Sequence, residues 1–449
     1  MPTSYVSTNG KSRAKSFGEV LLQGQAPDGG LYMPKTIPQL SEDAIASFAG
    51  KSYSEIAYEV TGRFLKDEVD SKSLMRITEE AYNFSVPVQH VSGSQHILWL
   101  DEGPTLAFKD FAARMMARLM QYYTQKEDGK LVILVATSGD TGGAIAAALH
   151  NLKNIEVMIL FPAKEVTGRQ RRQMTTLGGN VTAVAVDGKF DDCQALAKEA
   201  FRDKELNEQV RLSSANSINF GRLLPQAVYY FYGHSRVEGD RKVFSVPSGN
   251  FGNLMGGILA KNMGLPVEKF IAATNENDEF PNFLKTGAYK PVRPSRNCIS
   301  NAMNVGHPSN LARLIHIYGG RMDERGAIHQ KPDMEALRRD VAAESVTDEE
   351  TRQTIVEVYK KHKTILEPHG AVGWAALQKY LQKTGTKTPA ISIETADPAK
   401  FPEEIIKAIG IKPPVPESLS KLDGKKETVT ELPADYKPLK QLITGEYGQ

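Results

Sequence analysis

Leu131-Val132-Ile133-Leu134-Val135-Ala136-Thr137-Ser138-Gly139-Asp140-Thr141-Gly142-Gly143 decides how this 449-residue chain is built. An unbroken apolar run with no polar alternation is the pattern of a strand covered on both faces, as in a parallel sheet. A glycine-bearing turn ends the run, and an Ala-rich helix follows over 144–149. The rhythm continues with a strand at 157–161, a helix at 168–177, a strand at 181–186 and a helix at 190–201. It returns further on: the strand 243–246 ends in Pro247-Ser248-Gly249-Asn250-Phe251-Gly252-Asn253 and opens another helix, and strands follow at 270–274 and 390–393. This alternation predicts an α/β fold of βαβ units in open parallel sheets with right-handed crossovers.

Outward from that core, residues 1–100 read as a helix-rich N-terminal domain. It carries amphipathic patterns at 53–65 and 73–84 and a turn cluster at 27–34. Residues 101–225 are expected to form a small α/β lobe and 226–449 a large one, with a cleft between them. The Pro-, Asn- and Ser-rich stretch 278–310 reads as a long irregular excursion, of the kind that is functional or mobile. From Pro413 the tail is polar and charged, and is expected to wrap the body loosely.

Composition narrows the function. Charged residues are 24% of the chain and the formal net charge is +2, so nothing draws it to nucleic acid or to an anionic membrane. No apolar run reaches membrane-span length, and the N-terminus lacks a signal-peptide core. The two cysteines, Cys193 and Cys298, lie far apart and without metal-ligand spacing. That argues against a disulfide framework or a metal site and for a reducing, cytoplasmic setting.

The chemistry gathers in loops. The turns 137–143, 249–253 and 394–398 each follow an apolar strand, and ligands of open α/β sheets bind at the carboxyl ends of strands. Gly249–Asn253 has the makings of a phosphate cradle at a helix start, although it is neither a Walker loop nor Gly-x-Gly-x-x-Gly; a plain turn is the alternative. Ser138–Gly143 is a second donor-rich helix start, or an ordinary N-cap. Lys109 sits in Gly103-Pro104-Thr105-Leu106-Ala107-Phe108-Lys109-Asp110, at a loop-to-helix junction between Phe108 and Phe111. Poor solvation there lowers an amine's pKa, and a neutral amine condenses with aldehydes, whereas an exposed lysine is a mere surface charge. Two anion sites and one desolvated lysine suggest a phosphorylated aldehyde cofactor, pyridoxal 5'-phosphate, with an anionic substrate.

The motifs at 103–110, Thr137–Gly142, Ser248–Asn253 and Thr395-Ala396-Asp397-Pro398-Ala399-Lys400-Phe401, with Pro27–Pro34, resemble those of the threonine synthases, in the same order. These are fold-type II pyridoxal-phosphate enzymes, and the likeness is to their longer bacterial and fungal branch. The resemblance implies two open parallel-sheet lobes and conversion of O-phospho-L-homoserine and water to L-threonine and phosphate, the last step of threonine biosynthesis. It implies that Lys109 bonds the cofactor and is the catalytic base. Gly249, Asn250, Phe251, Gly252 and Asn253 would contact its phosphate, Asp140 would lie beside its phenolic oxygen and Thr395 at its ring nitrogen. A neutral hydroxyl at that nitrogen leaves the ring less firmly protonated than a carboxylate does. Ser138, Thr141, Asn216, Ser217 and Arg222 match substrate-gripping positions; a surface helix position is the alternative for Arg222. No metal is implied, and the oligomeric state expected is a monomer or weak homodimer. Two positions depart from the pattern: Asp140 stands where relatives often place Asn, and Asp397 where His is expected. The basic residues Arg169, Arg171 and Arg172 read as a solvated helix face, or as a patch that steers an anionic substrate.

Overall fold

The structure, a computed structural model, describes residues 2–125 and 129–448. In chain order its two main sheets are made of β1 (Val88–Ser92), β2 (Gln95–Trp99), β3 (Leu131–Ala136), β4 (Ile155–Pro162), β5 (Val181–Asp187), β6 (Leu212–Ser213), β7 (Lys242–Pro247), β8 (Val267–Thr274), β9 (Val341–Ser345), β10 (Ala390–Glu394) and β11 (Thr430–Pro433). The smaller sheet has the order β11-β5-β4-β3-β6 and is parallel throughout. The larger has the order β9-β8-β7-β10-β2-β1 and is parallel except for the β1–β2 pair.

The apolar run that announced the fold does what its pattern requires. Every residue of β3 is buried. Ile133 and Val135 face one core with Val157 and Ile159, while Val132 and Leu134 face another with Met158 and Leu160. Successive strand residues point to opposite faces, so a strand between two helical layers needs apolar residues at every position.

The N-terminal segment supplies the helices Tyr53–Leu65 and Ser71–Ala81. The first starts at a capping box between Ser52 and Glu55. The second starts two residues earlier than its apolar pattern predicts, because the Asp70 side chain accepts from the Ser73 N–H and fixes the N-terminus there. Residues 278–310 do form a largely irregular excursion, holding one helix, Glu279–Thr286, and a short 3-10 turn, Asn301–Met303.

Three expectations change. Sheet membership crosses the limit at residue 100, since β1 and β2 belong to the larger sheet. It also crosses the limit at 226, since β11 pairs with β5 of the smaller sheet. The tail therefore does not wrap loosely. Its strand covers a sheet edge that would otherwise expose unpaired backbone groups, and its helix, Tyr436–Tyr447, buries Leu439 and Ile443 against the core of Val184, Cys193 and Leu196. The basic helix is neither a free solvated face nor a steering patch. Arg169 pairs with Asp423 at 2.5 Å, and Arg171 and Arg172 pair with Glu427 at 2.9 and 3.3 Å, which ties the tail down.

Candidate active site

Backbone pairing brings Lys109 and Thr395 together. Ala107 and Ala396 form an antiparallel bridge, Phe108 N–H donates to the Thr395 carbonyl (2.9 Å), and Asp397 N–H donates to the Leu106 carbonyl (3.1 Å). Buried Asp110 shapes the turn before the lysine by accepting from Thr105 N (2.8 Å) and Oγ1 (2.6 Å). A Cβ on Gly103 would lie 2.4 Å from Asp110 Oδ2, so that turn admits only glycine. Lys109 then opens the helix α1 (Lys109–Thr124), with Nζ 4.6 Å from the centroid of the Phe108 ring. Burial is the main cause that brings its amine down to about 8; Asp140 opposes the shift, and Lys400 and Arg222 add to it.

The turn after β3 presents Asp140 at the start of α2 (Asp140–Leu149). Thr137 Oγ1 accepts from the Gly139 and Gly142 N–H groups, both at 2.9 Å, and Gly139 has φ +135°. Asp140 Oδ1 meets Lys400 Nζ at 2.5 Å and Gln170 Nε2 at 3.1 Å. Burial pushes this carboxyl up, but Lys400, then Lys109 and His369, hold it well below the usual carboxylate range.

The turn after β7 leads into α3 (Gly252–Asn262). Phe251 takes a left-handed φ of +62°, which turns its ring into the core against Phe280, 4.8 Å between centroids, and leaves its backbone at the cavity wall. Asn253 Oδ1 accepts from the Tyr229 and Tyr230 hydroxyls, both at 2.7 Å, so its buried Nδ2 has no protein partner. A Cβ on Gly249 would lie 2.8 Å from Met303 Cα. Asn310 Nδ2 donates both to the Asn250 carbonyl (3.0 Å) and to Ser217 Oγ (2.9 Å), joining two loops.

Arg222 is buried, not on a surface. Its Nη1 donates to the Ala215 carbonyl at 2.8 Å, Nε is buried without a partner, and no carboxylate pairs with it among the described residues. Burial lowers its guanidinium to about 10. Asn216 Nδ2 donates to the Ala136 carbonyl at 2.7 Å, and Ser138 and Thr141 are half-buried at the mouth. Every site residue expected from the sequence lines this one cavity.

Sequence reasoning missed three groups. His369 lines the cavity, Glu367 lies behind it and Lys400 behind Asp140. Glu367-Pro368-His369-Gly370 is a helix start: the Glu367 side chain accepts from the His369 and Gly370 N–H groups and caps the helix Pro368–Thr384. The excursion 278–310 also reaches the cavity wall, through Ala302, Met303 and Val305.

The donor set fits pyridoxal phosphate. A low-pKa amine could take its aldehyde, the glycine turn with the unpartnered Asn253 Nδ2 could take its phosphoryl group, and the Thr395 hydroxyl could meet its ring nitrogen. An unpaired buried arginine remains for a second anion.

Known proteins resemble the chain along most of its length. The profile of pyridoxal-phosphate dependent enzymes matches residues 93–395, that of the threonine synthase N terminus residues 4–82, and that of the threonine synthase C-terminal region residues 370–443. Threonine synthase of Escherichia coli K12 is 38% identical over 431 residues, 95% of this chain and 96% of that protein. The Pseudomonas aeruginosa threonine synthase is 36% identical, covering 98% of both chains. The crystal structure of PLP-bound threonine synthase from Brucella melitensis superposes with a TM-score of 0.91 at 36% identity, covering 99% of each chain. The yeast threonine synthase structure gives 0.89 at 32%, covering 99% of this chain and 98% of that one. The chain belongs to the threonine synthase family of pyridoxal-phosphate-dependent enzymes.

Proposed function

We propose that the protein converts O-phospho-L-homoserine and water to L-threonine and phosphate, using pyridoxal 5'-phosphate. When bound, the cofactor supplies an electron sink for the charge left as a proton leaves the substrate's Cα. Lys109 is the catalytic amine. Brought down to about 8, it is half neutral near pH 8, takes the Cα proton and then moves protons at Cβ and Cγ as phosphate departs and water adds. The N–H groups at the start of α3, with Gly249, Asn250, Phe251, Gly252 and Asn253, hold the cofactor phosphate. Asp140 lies at the phenolic oxygen, and the Lys400 ammonium ion beside it balances its charge. Thr395 meets the ring nitrogen. Ser138, Thr141, Asn216 and Ser217 orient the amino-acid substrate, and Arg222 grips its phosphate as negative charge grows on it.

The observation that carries this reading is the buried Arg222, without a carboxylate partner, in the same cavity as a low-pKa lysine. The protein acts on a small molecule, as a monomer or weak homodimer. Both cysteines are free and buried, as suits a cytoplasmic enzyme; among the described residues no helix is long and apolar enough to cross a membrane. The test is to incubate the purified holoenzyme with O-phospho-L-homoserine and identify the products. Threonine with stoichiometric phosphate is expected. Formation of 2-oxobutanoate would point to a lyase on the same scaffold, and no turnover of a yellow, cofactor-loaded protein would reject the substrate.

A further inference from the structure

Thr395 Oγ1 donates a hydrogen bond to Glu367 Oε1 at 2.9 Å, and both residues are buried. The same carboxyl accepts Gly370 N–H on Oε1 (2.9 Å) and His369 N–H on Oε2 (2.6 Å). It also receives His369 Nδ1–H, because His369 Nε2 accepts the Ala302 N–H at 3.0 Å and so fixes the tautomer. With three N–H donors already on its two oxygens, the Glu367 carboxyl serves as acceptor and the Thr395 hydroxyl spends its only proton on it. What Thr395 offers the cavity is therefore a lone pair.

We propose that Glu367 is a positioning residue that makes the Thr395 hydroxyl a hydrogen-bond acceptor, so that the cofactor's ring nitrogen is held in its protonated, N–H-donating form. This rests on the cofactor reading above and reverses the expectation that a hydroxyl at this position leaves the nitrogen weakly protonated. The charge around the turn works in the same direction. Asp101, Glu394 and the half-buried Asp397 gather with Glu367 at this end of the cavity, and each of the three is pushed toward its neutral form, first by burial and then by neighbouring carboxylates. A cation set among these acids relieves their mutual repulsion, and a protonated ring nitrogen is such a cation. Asp397, which replaces the expected His, adds to the crowding. The nearby Lys400 is engaged elsewhere, with Asp140 and the Thr105 carbonyl.

The test is the 15N chemical shift of ring-labelled pyridoxal phosphate bound to the holoenzyme. Wild type is expected at the protonated position, Glu367→Asp to stay there, and Glu367→Gln and Thr395→Val to move toward the neutral position. Thr395→Val keeps all three N–H contacts to the carboxyl, so it remains decisive should Glu367→Gln fail to fold. A neutral nitrogen in wild type, or an unmoved resonance in folded variants, overturns the proposal. Failure of wild type to retain any labelled cofactor overturns the cofactor reading, and this proposal with it.

Discussion

Lys400 Nζ lies 2.5 Å from Asp140 Oδ1, with only 0% and 3% of the two side chains exposed. Neither charge can turn to water, so each depends on the other. Removing one partner of such a pair costs about 3–5 kcal/mol, whereas removing both costs far less. Lys400→Met is expected to lower the unfolding free energy by an amount in that range, and the double variant Lys400→Met/Asp140→Asn to recover most of it. A denaturant double-mutant cycle measures this; equal losses in single and double variants would disprove the coupling.

Arg222 has the opposite status, a buried cation with no carboxylate partner. Arg222→Ala is expected to reduce kcat/KM for O-phospho-L-homoserine by roughly 10- to 150-fold, the value of one hydrogen bond to a charged group at about 1.5–3 kcal/mol. Its melting temperature is expected to stay level or rise, because an uncompensated charge leaves the interior. Arg222→Lys restores charge without the planar fork and is expected to recover activity only in part. Steady-state kinetics together with thermal melts separate these outcomes.

Lys109 titrates at about 8, against an ordinary 10.5. Its neutral fraction at pH 8 is about half, where an unperturbed lysine would have roughly 1 in 300. The rate at which cofactor-free protein takes up pyridoxal phosphate is expected to rise with pH and reach half its maximum near pH 8. The folded value lies below the unfolded one, so between about pH 8 and 10.5 the unfolded chain binds more protons and this group's contribution to stability increases with pH. Unfolding of apo Lys109→Met across that window is expected to lack this rise.

The tail helix buries Ile443 and Leu439 on the outer face of the smaller sheet. Ile443→Ala is expected to cost about 2–5 kcal/mol, as for other large-to-small core changes. Urea unfolding followed by circular dichroism measures it. A loss below 1 kcal/mol would mean the tail is only loosely attached.

The strand–turn–helix units, the lysine and the loops that surround it are legible in the chain alone. Each of these is written in contiguous residues: an apolar run for a doubly covered strand, a glycine where the backbone must turn tightly, an amine between phenylalanines. Which distant groups meet is set by the packing. Lys400 reaches the Thr105 carbonyl across 295 positions and Thr395 reaches Glu367 across 28, and β11 pairs with β5 from the far end of the chain. Such pairings leave no local pattern, because a buried charge is satisfied by whichever partner the packing brings within hydrogen-bond reach, and an edge strand by whichever segment returns to cover it.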